Sequence, residues 1–364
     1  METPRIRILL PTYEPNPAYL RTTLDAAMTQ TEERWTLHIN DDASATNTRA
    51  IVEPYLSDHR ITFARNPRRL GIGGNWNACL GEAQSAKPDV PFIQFLFQDD
   101  FWSFDYLERM CGILENHPTV GFVSGEHEYD CEEDIPTTPL YRALEETRRN
   151  LLAPGLHNGL SFLQWWLWRG LHPNFIGEPS FVMMRRRLIE RVGTFDRNMP
   201  QYLDVEYWTR CLATTDWYFL AGSFGTFRVH SQSASARNRR ANSDLCDRLL
   251  CIERALALAR VPKTKRTTIL GESLAQMLQK MHQPPRRRRM PNPSSVLPFL
   301  CFCVRHPILC NAALLRSLQN KFSTIPHHPH RAAEDPHPCI HGNAHAARCA
   351  HPQQEQGSAC RECR

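Results

Sequence analysis

The chain has 364 residues, and at roughly 150 residues per domain this length predicts one large domain with an extension, or two domains. Hydrophobic residues make up 41% and charged residues 22% of the chain, which is ordinary for a soluble globular protein and excludes collagen-like, wholly disordered and multi-span membrane classes. The formal net charge is only +5, so the position of the basic residues matters more than their excess. The thirteen cysteines are scattered and no signal peptide is recognisable, which favours reduced thiols in the cytoplasm.

The first 125 residues repeat a strand–loop–helix pattern. Four short apolar runs lack alternation, as in strands buried on both faces: Ile6–Leu10, Trp35–Asn40, Ile61–Ala64 and Pro91–Phe97. Helical patterns follow them at Tyr19–Gln30, Thr48–Leu56, Asn75–Gln84 and Tyr106–Asn116. This alternation predicts an α/β fold with a mostly parallel central sheet flanked by helices.

Residues 126–235 carry weaker signals. Tyr129–Pro139 is acidic and interrupted by prolines, so we expect a surface loop there. Leucines recur at helical spacing among three tryptophans, which predicts a helix that packs at least two of the tryptophans into the core; these residues are Leu160, Leu163, Leu167, Leu171, Trp165, Trp166 and Trp168. Strand-like pieces follow at Ser180–Met184, Tyr218–Ala221 and Thr226–His230, around a helix that begins near Asp204.

From residue 236 the chain becomes helical and basic, which predicts an extension over 236–322. Ser243–Arg260 and Lys265–Met281 have helical patterns, and Arg286–Arg289 precedes apolar stretches at 296–304 and 308–315. Neither stretch reaches the ~20 residues needed to cross a bilayer. We therefore expect an anchor on an anionic membrane surface, with a solvated helical face as the alternative and no nucleic acid as partner. The His-, Cys- and Pro-rich tail 323–364 is predicted to be disordered rather than a zinc site.

Four loops follow the predicted strands at one edge of the sheet, where ligands of such folds bind: Pro11–Tyr13, Asn40–Ser44, Asn66–Asn77 and Phe97–Asp100. A carboxylate such as Asp42 can accept a hydrogen bond from the N3–H of uracil or thymine, and a glycine-rich loop lets the backbone approach a nucleotide. Asp99 and Asp100 end an apolar strand, where desolvation is costly unless a cation is bound. Mg²⁺ or Mn²⁺ on two phosphates is such a cation. The alternative for each aspartate is a turn or a helix cap.

Two acids lie near the start of a later predicted helix. Asp204 and Glu206 are two positions apart, so they point in nearly opposite directions and cannot both face one pocket. Asp204, at the first turn, is the better candidate for the cleft, with a helix cap as the alternative. His230 ends a strand, where a structural role competes with metal ligation.

These segments together resemble the family 2 glycosyltransferases, which have the GT-A fold. The resemblance covers about residues 5–235 (domain 1–235) and rests on motifs in the family's order: Pro11-Thr12-Tyr13, Asn40–Ser44, Leu70-Gly71…Gly74-Asn75-Trp76-Asn77, Phe95–Asp100, Gly177–Ser180, Asp204–Trp208 and Arg228–His230. It implies inverting transfer of a sugar from a UDP- or dTDP-linked donor, with GDP less favoured, to a hydroxyl of a glycan or lipid-linked acceptor. The implied setting is cell-surface polysaccharide synthesis at the inner face of the cell membrane.

The resemblance also implies roles for individual residues. Asp204 matches the general base, with Glu206 left as the alternative because Leu203 replaces an acid that often precedes the base. The implied nucleotide-sugar site is Pro11, Thr12, Tyr13, Asp42, Asn75 and Asp99. Asp100 and His230 would hold Mn²⁺ or Mg²⁺, in a D-x-D-like motif whose first position is Gln98. Glu178, Pro179 and Ser180 would face the acceptor, as would the Trp165–Trp168 segment, with packing into the core as the alternative for its tryptophans. Arg68 or Arg69 would assist the diphosphate, with a solvated basic loop as the alternative.

Two other functions compete with this interpretation. A nucleotidyltransferase needs a lysine-bearing glycine-rich loop after the first strand, and residues 11–17 contain neither Gly nor Lys. A non-catalytic carbohydrate-binding or scaffold protein with the same fold remains as the alternative, and the retained acids argue against it.

Overall fold

A computed structural model describes residues 3–86, 89–132, 138–230, 244–282 and 301–313. The strands are β1 Ile6–Thr12, β2 Trp35–Asp41, β3 Ile61–Arg65, β4 Phe92–Phe95, β5 Phe101–Trp102, β6 Val120–Gly125, β7 Glu128–Cys131, β8 Gly155–His157, β9 Val182–Arg185, β10 Asp216–Leu220 and β11 Gly225–Val229. The helices are α1 Pro17–Met28, α2 Thr48–Val52, α3 Ile72–Ser85, α4 Tyr106–Asn116, α5 Thr138–Leu151, α6 Gly159–Trp168, α7 Arg186–Val192, α8 Leu203–Leu212, α9 Asp244–Leu258 and α10 Lys263–His282. Short 3₁₀ turns lie at Glu53–Tyr55 and Pro179–Phe181.

The central sheet has eight strands in the order β3-β2-β1-β4-β9-β6-β10-β8. The pairs β1/β2, β1/β4, β2/β3 and β6/β10 are parallel, whereas β9 runs antiparallel to β4 and β6, and β8 antiparallel to β10. Six of the eight strands therefore share one direction. The prediction of a mostly parallel, helix-flanked α/β sheet is confirmed.

Two hydrophobic clusters cover the two faces of this sheet. Along β1, Ile6, Ile8 and Leu10 belong to the cluster that includes residues of α1, α2 and α4, while Leu9 belongs to the cluster with residues of α3, α6 and α8. This division follows from the twofold alternation of side chains along a strand. Because both faces are covered, β1 is apolar from Ile8 to Pro11, which explains the run without alternation seen in the sequence.

The helices beside the first strands begin with features that shape one end of the sheet. Asn16 caps α1, where its Oδ1 accepts a hydrogen bond from the Ala18 amide at 2.9 Å ahead of Pro17 at the first helical position. Before α3, Gly71 adopts a φ of +77°, a left-handed conformation that favours glycine. That turn directs the loop before α3 towards the carboxyl ends of β1 and β2.

A second, three-stranded sheet, β5-β11-β7, lies beside the first. This sheet shows that the expectation of a loop over Tyr129–Pro139 was wrong. Glu128–Cys131 is a strand parallel to β11, and α5 begins at Thr138. Residues 133–137 lie outside the described ranges. The partner strand is almost a hundred residues away, so local composition carried no signal for the pairing. The predicted strand at Ser180–Met184 also begins later, at Val182, after the 3₁₀ turn.

The C-terminal helices α9 and α10 pack onto one face of the main sheet. Ile252, Leu256 and Leu274 are buried in the same hydrophobic cluster as Phe122 of β6. The helical patterns predicted at Ser243–Arg260 and Lys265–Met281 are confirmed to within two residues at each end. This part of the chain thus extends the core of the α/β domain.

The predicted membrane anchor falls partly outside the described residues, as do Arg286–Arg289 and the tail 323–364. Residues 301–305 and 307–313 are helical. Phe302 is buried, whereas Val304 and Ile308 are 79% and 83% exposed. In the part of the chain that the structure describes, no helix combines the length and apolar character needed to span a bilayer.

Candidate active site

A cleft of about 1160 Å³ opens at the carboxyl ends of the central strands. Most of the residues predicted for the site line it: Pro11, Thr12, Tyr13, Asp42, Asn75, Asp99, Asp100, Glu178, Pro179, Asp204 and His230. Ser180, predicted on the acceptor side, is fully buried outside this lining. Its Oγ accepts a hydrogen bond from the Phe97 amide at 2.9 Å, so it supports the loop that carries the two aspartates.

One wall of the cleft is formed by the end of β1. The Tyr13 ring lies under the guanidinium of Arg69, whose Cζ is 4.2 Å from the ring centroid. The Tyr13 amide donates a hydrogen bond to Gln98 Oε1 at 2.8 Å, and Gln98 Nε2 donates to the Tyr13 carbonyl at 3.3 Å. Gln98 therefore links the D-x-D-like loop to this wall.

The two aspartates that end β2 have different environments. Asp41 is fully buried and accepts hydrogen bonds from Ser44 and Thr48, as a residue that holds a turn does. The Asp42 carboxylate lines the cleft and accepts hydrogen bonds from the amides of Leu70 at 2.7 Å and Gly71 at 2.9 Å. The turn interpretation thus applies to Asp41, whereas Asp42 holds the glycine loop against the cleft.

Asn75, on the first turn of α3, joins three of the predicted loops. Its Oδ1 accepts hydrogen bonds from Asn40 at 2.6 Å and Asn66 at 3.0 Å. Its Nδ2 donates to the carbonyls of Thr12 at 3.2 Å and Asn40 at 3.1 Å. Asn66 also donates to Asp42 at 2.9 Å. Asn75 is 3% exposed, so its buried side chain holds together the loops around Asp42.

Asp99 and Asp100 end the loop after β4. Asp99 Oδ2 lies 3.1 Å from His230 Nε2, a hydrogen bond that raises the pKa of His230. Asp100 Oδ1 accepts a hydrogen bond from the Arg228 amide at 3.2 Å. Within the described residues, Asp99 Oδ1 and Asp100 Oδ2 are buried without a hydrogen-bond partner. Burial raises the pKa of Asp100 well above its ordinary value, with the Asp99 charge acting in the same direction.

Two unpartnered carboxylate oxygens side by side fit a bound cation better than a solvated loop. His230 faces Asp99, and over the described ranges no cluster of three or more His, Cys, Asp or Glu side chains could hold a metal. A cation here would thus need oxygen ligands from a substrate or water besides the aspartates, as Mg²⁺ commonly has.

Asp204 and Glu206 are separated by the geometry of α8, which begins at Leu203. Asp204 lines the cleft, and its Oδ2 accepts a hydrogen bond from Asn174 Nδ2 at 2.9 Å. Glu206 is 5% exposed and pairs with Arg210 at 2.8 Å, away from the cleft lining. Burial, followed by the charge of Glu178, raises the pKa of Asp204 to about 7. A carboxylate with that pKa is matched to proton abstraction near neutral pH.

Glu178 is held by a histidine that sequence reasoning missed. His127 Nε2 lies 2.8 Å from Glu178 Oε2, and the imidazole stacks on Phe181 with ring centroids 4.0 Å apart. Burial acts to raise the pKa of Glu178, but the hydrogen bond and charge of His127 outweigh it, so the pKa is lowered. A lone histidine after a strand carries no local signal for this contact.

Of the other residues predicted around the cleft, some line it and others do not. Of the two arginines proposed beside a diphosphate, Arg69 lines the cleft and Arg68 does not. None of the three tryptophans of α6 lines it: Trp166 is fully buried, Trp165 packs against the core and Trp168 is exposed. The packing alternative therefore holds for Trp165 and Trp166. The structure adds Arg169, Gln201 and the α5 face from Leu140 to Thr147 to the lining, none of which the sequence analysis singled out.

The fold resembles that of known glycosyltransferases. Staphylococcus aureus TarS 1–349, whose structure was solved in complex with UDP-GlcNAc, superposes with a TM-score of 0.61 over 87% of this chain and 89% of that one. At 13% identity, this likeness establishes the GT-A fold alone.

Relatives in sequence include an uncharacterised protein of Mycobacterium tuberculosis, MT1568, which is 26% identical over 67% of this chain and 73% of its own length. The Escherichia coli enzyme WfgD, a UDP-Glc:alpha-D-GlcNAc-diphosphoundecaprenol beta-1,3-glucosyltransferase, is 29% identical over 34% of this chain. That match spans 46% of WfgD, less than half of its length.

The sequence also matches the family described as Glycosyl transferase family 2 over residues 7–193, about half of the chain. The matched segment holds β1 to β4, the glycine loop, both aspartates of the D-x-D-like motif and Glu178. The chain belongs to glycosyl transferase family 2 and is a glycosyltransferase with a GT-A fold.

Proposed function

We propose that this enzyme transfers a sugar, with inversion at the anomeric carbon, from a UDP- or dTDP-linked donor to a hydroxyl of a glycan or lipid-linked acceptor in cell-surface polysaccharide synthesis. One observation carries the proposal: Asp42, Asp100 and Asp204, distant along the chain, line a single cleft. These three carboxylates provide base recognition, a cation site and a general base within one volume. TarS was crystallised with UDP-GlcNAc, and WfgD is named as a glucosyltransferase that uses UDP-Glc. Both relatives support a UDP-linked donor for this chain.

The nucleotide would lie against Pro11, Thr12 and Tyr13, with its base at Asp42. A carboxylate has about four acceptor positions, and Asn66, Leu70 and Gly71 use three of those of Asp42. One position remains for the N3–H of uracil or thymine. Adenine and cytosine have no ring N–H on that edge, so the position favours uracil or thymine over these two bases. Guanine offers its N1–H there, so the preference for UDP over GDP is supported by the UDP-GlcNAc complex of TarS rather than by this hydrogen bond.

Asp100, with Asp99 beside it, would hold a divalent cation such as Mn²⁺ or Mg²⁺ through the free oxygens described above. When bound, such a cation neutralises charge on a leaving diphosphate. Arg228 donates a hydrogen bond to the Asp99 carbonyl at 3.0 Å, which holds the backbone of this loop. The resemblance implies that His230 contacts the metal directly. His230 also orients the Asp99 carboxylate through the hydrogen bond between its Nε2 and Asp99 Oδ2.

Asp204 would take the proton from the acceptor hydroxyl as that oxygen attacks the anomeric carbon from the side opposite the diphosphate. Asn174 holds the carboxylate in place by donating to one of its oxygens. General-base assistance of this kind contributes about 10²–10⁴-fold to a rate. Glu178 and Pro179 line the cleft on the side proposed for the acceptor.

We also propose that the C-terminal part contacts an anionic membrane on its inner face. The exposed side chains of Val304 and Ile308 supply an apolar contact, and Arg286–Arg289 supplies positive charge from the sequence. Flotation of the full chain with anionic vesicles tests this, with neutral vesicles as the control. Co-migration that survives Val304→Ser combined with Ile308→Ser would count against the contact.

Thermal unfolding with UDP, dTDP, GDP and ADP, each with and without Mn²⁺, tests the donor site. A ligand that binds only the folded state stabilises it by about 2.7 kcal/mol at a hundredfold excess over Kd. We expect UDP or dTDP to raise the Tm, more so with Mn²⁺, with a smaller shift for GDP and little effect of ADP. Release of UDP from a UDP-sugar distinguishes an enzyme from a non-catalytic binder, which would show the Tm shift alone.

A further inference from the structure

Arg169 lines the cleft, and no residue that the structure describes gives it an anionic partner. Its Nε is buried and makes no hydrogen bond to any residue that the structure describes. The guanidinium lies beside the Trp165 ring, with Cζ 5.3 Å from the centroid. Burying part of a cation without a counter-charge costs free energy unless an anion completes the site.

The turn that carries Arg169 is held in an uncommon conformation. Gly170 has a φ of +65° and Leu171, which is 1% exposed, a φ of +54°. A left-handed residue other than glycine is uncommon and is kept only where its surroundings fix it. Here Arg248 of α9 donates a hydrogen bond from Nε to the Gly170 carbonyl at 2.8 Å. A Cβ at Gly170 would overlap with Arg248 Nη2, so a side chain there would require this guanidinium to move.

A second unpartnered group lies on the loop before α8. Gln201 lines the cleft three residues ahead of Asp204, and its Oε1 is buried without a hydrogen-bond partner in the described ranges. The Gln201 amide donates to Oδ2 of Asp247 at 2.9 Å, and Asp247 is 3% exposed. Asp247 and Arg248 are consecutive on α9, so one helix turn holds both loops.

We propose that Arg169 and Gln201 form an acceptor subsite for a group that carries an anionic oxygen and a hydroxyl, with Asp247 and Arg248 as positioning residues. The proposal rests on the function given above. A phosphate or a carboxylate matches the planar guanidinium, and the free Oε1 accepts from a hydroxyl. Among described residues, the other arginines of the cleft, Arg69 and Arg228, lie against Tyr13 and the Asp99 loop, on the donor side.

An anionic acceptor would need a cation beside it in this part of the cleft. Asp204 and Glu178 are close enough for the charge of Glu178 to raise the pKa of Asp204. An anionic acceptor approaching these carboxylates would be repelled unless a cation offsets them. Among the described arginines of the cleft, Arg69 and Arg228 lie against the donor loops. Arg169 is therefore the arginine that can offset the negative charge of Asp204 and Glu178.

The test uses the full chain with UDP at the saturating concentration found in its own titration. Glycerol phosphate and glucuronate are titrated as the two anionic probes, with glycerol and glucose as neutral counterparts, and the Tm is followed. Arg169→Gln is compared with Arg142→Gln, an exposed α5 position outside the cleft lining. We expect at least one anion to raise the Tm of the unmutated chain and of Arg142→Gln, and Arg169→Gln to need about tenfold more of it.

The two anionic probes identify the chemical group that the subsite binds. A response to glycerol phosphate alone assigns a phosphate, and a response to glucuronate alone assigns a carboxylate. An equal response in Arg169→Gln, an equal response to the neutral probes, or no response to either anion overturns the subsite. If UDP has no effect on the Tm while an anion still acts through Arg169, the proposed donor chemistry fails and the anion site stands.

The positioning role of Asp247 has its own readout. Asp247→Ala removes the oxygen that holds the Gln201 amide, whereas Asp247→Asn keeps an acceptor oxygen in reach. We expect Asp247→Ala to weaken binding of the anionic probe with the UDP Kd unchanged, and Asp247→Asn to restore it. A loss of both ligands in parallel would indicate general damage to the fold and overturn the positioning role.

Discussion

The side-chain amide of Gln98 pairs with the backbone of Tyr13 in both directions, accepting from its amide at 2.8 Å and donating to its carbonyl at 3.3 Å. An acid at this first position of the D-x-D-like motif cannot make the second hydrogen bond, because an ionised carboxylate only accepts. The Gln98 amide therefore braces the wall of the proposed nucleotide site, where an acid would place a negative charge.

Replacing Gln98 by Met removes both hydrogen bonds while keeping a side chain of similar length. Since each such bond contributes about 0.5–1.5 kcal/mol, the loss of both corresponds to about 1–3 kcal/mol. We therefore expect the Kd for UDP to rise about five- to 150-fold, with a smaller effect on kcat. Titration calorimetry measures this, with the exposed Gln84→Met as the control. Unchanged UDP affinity in Gln98→Met would show that the brace has no role in donor binding.

Asp204→Asn is expected to lower kcat by about 10²–10⁴-fold, because the amide cannot accept a proton. Neither Asp204 nor its hydrogen-bond partner Asn174 is among the residues proposed to bind the nucleotide, so UDP binding should be nearly unchanged. Glu206→Gln is the matched control, since Glu206 pairs with Arg210 outside the cleft lining. Steady-state transfer or UDP-sugar hydrolysis provides the rate. The reverse ranking of the two variants would move the base to Glu206.

The pH profile should report the raised pKa of Asp204. A general base works in its deprotonated form, so kcat/KM should rise with pH through about 7 and level off above it. Glu178→Gln removes a negative charge that helps to raise this pKa, so the rising limb should move to lower pH. Glu190→Gln, on the surface of α7, is the control. A limb that stays in place or moves to higher pH would contradict the coupling.

Asp100→Asn tests the cation site. The variant loses the carboxylate charge opposite the proposed metal, so we expect the extra Tm rise that Mn²⁺ gives to UDP to be abolished, while UDP alone still binds. Asp105→Asn is the matched control, since Asp105 is a nearby surface acid paired with Arg109 at 2.8 Å. A Mn²⁺ effect of the same size in Asp100→Asn would rule out this residue as a ligand.

Leu256→Ala tests whether α9 is part of the core. Leu256 is 1% exposed within the cluster that covers the main sheet, so its truncation should lower the free energy of unfolding by about 2–5 kcal/mol. Leu258→Ala on the same helix, at 40% exposure, should change it by less than about 0.5 kcal/mol. Denaturant unfolding followed by tryptophan fluorescence compares them. An unaffected tryptophan transition in Leu256→Ala would show that the helix unfolds separately.

Much of the fold was predictable because its signals are local. The unalternating run at Ile6–Leu10 reflects a strand covered on both faces, and the aspartates after β2 and β4 end strands that point the same way. Strand direction alone brings such residues to one edge, which is why Asp42 and Asp100 could be assigned to a common cleft. Helix periodicity likewise separated Asp204 from Glu206, and the position of Asp204 at the first turn favoured it for the cleft, with Glu206 left as the alternative.

The features that were missed depend on contacts between distant segments. The strand at Glu128–Cys131 exists through its pairing with β11, and no local composition distinguishes it from the acidic loop expected there. His127 reaches Glu178 across about fifty residues. Ser180 was placed at the acceptor side by its motif, yet its side chain supports the aspartate loop from within the core.

The amino-acid sequence by itself determined the α/β architecture, the order of the site loops and the carboxylates that they carry. These features depend on hydrophobic periodicity and on the residues that follow each strand, and both can be read from neighbouring positions in the chain. Only the tertiary structure decided which acid faces the cleft, which histidine supports Glu178, and that α9 holds the loops of Arg169 and Gln201. Burial, charge pairing and hydrogen-bond partners depend on which distant side chains meet, and that is settled only when the two faces of the sheet are packed.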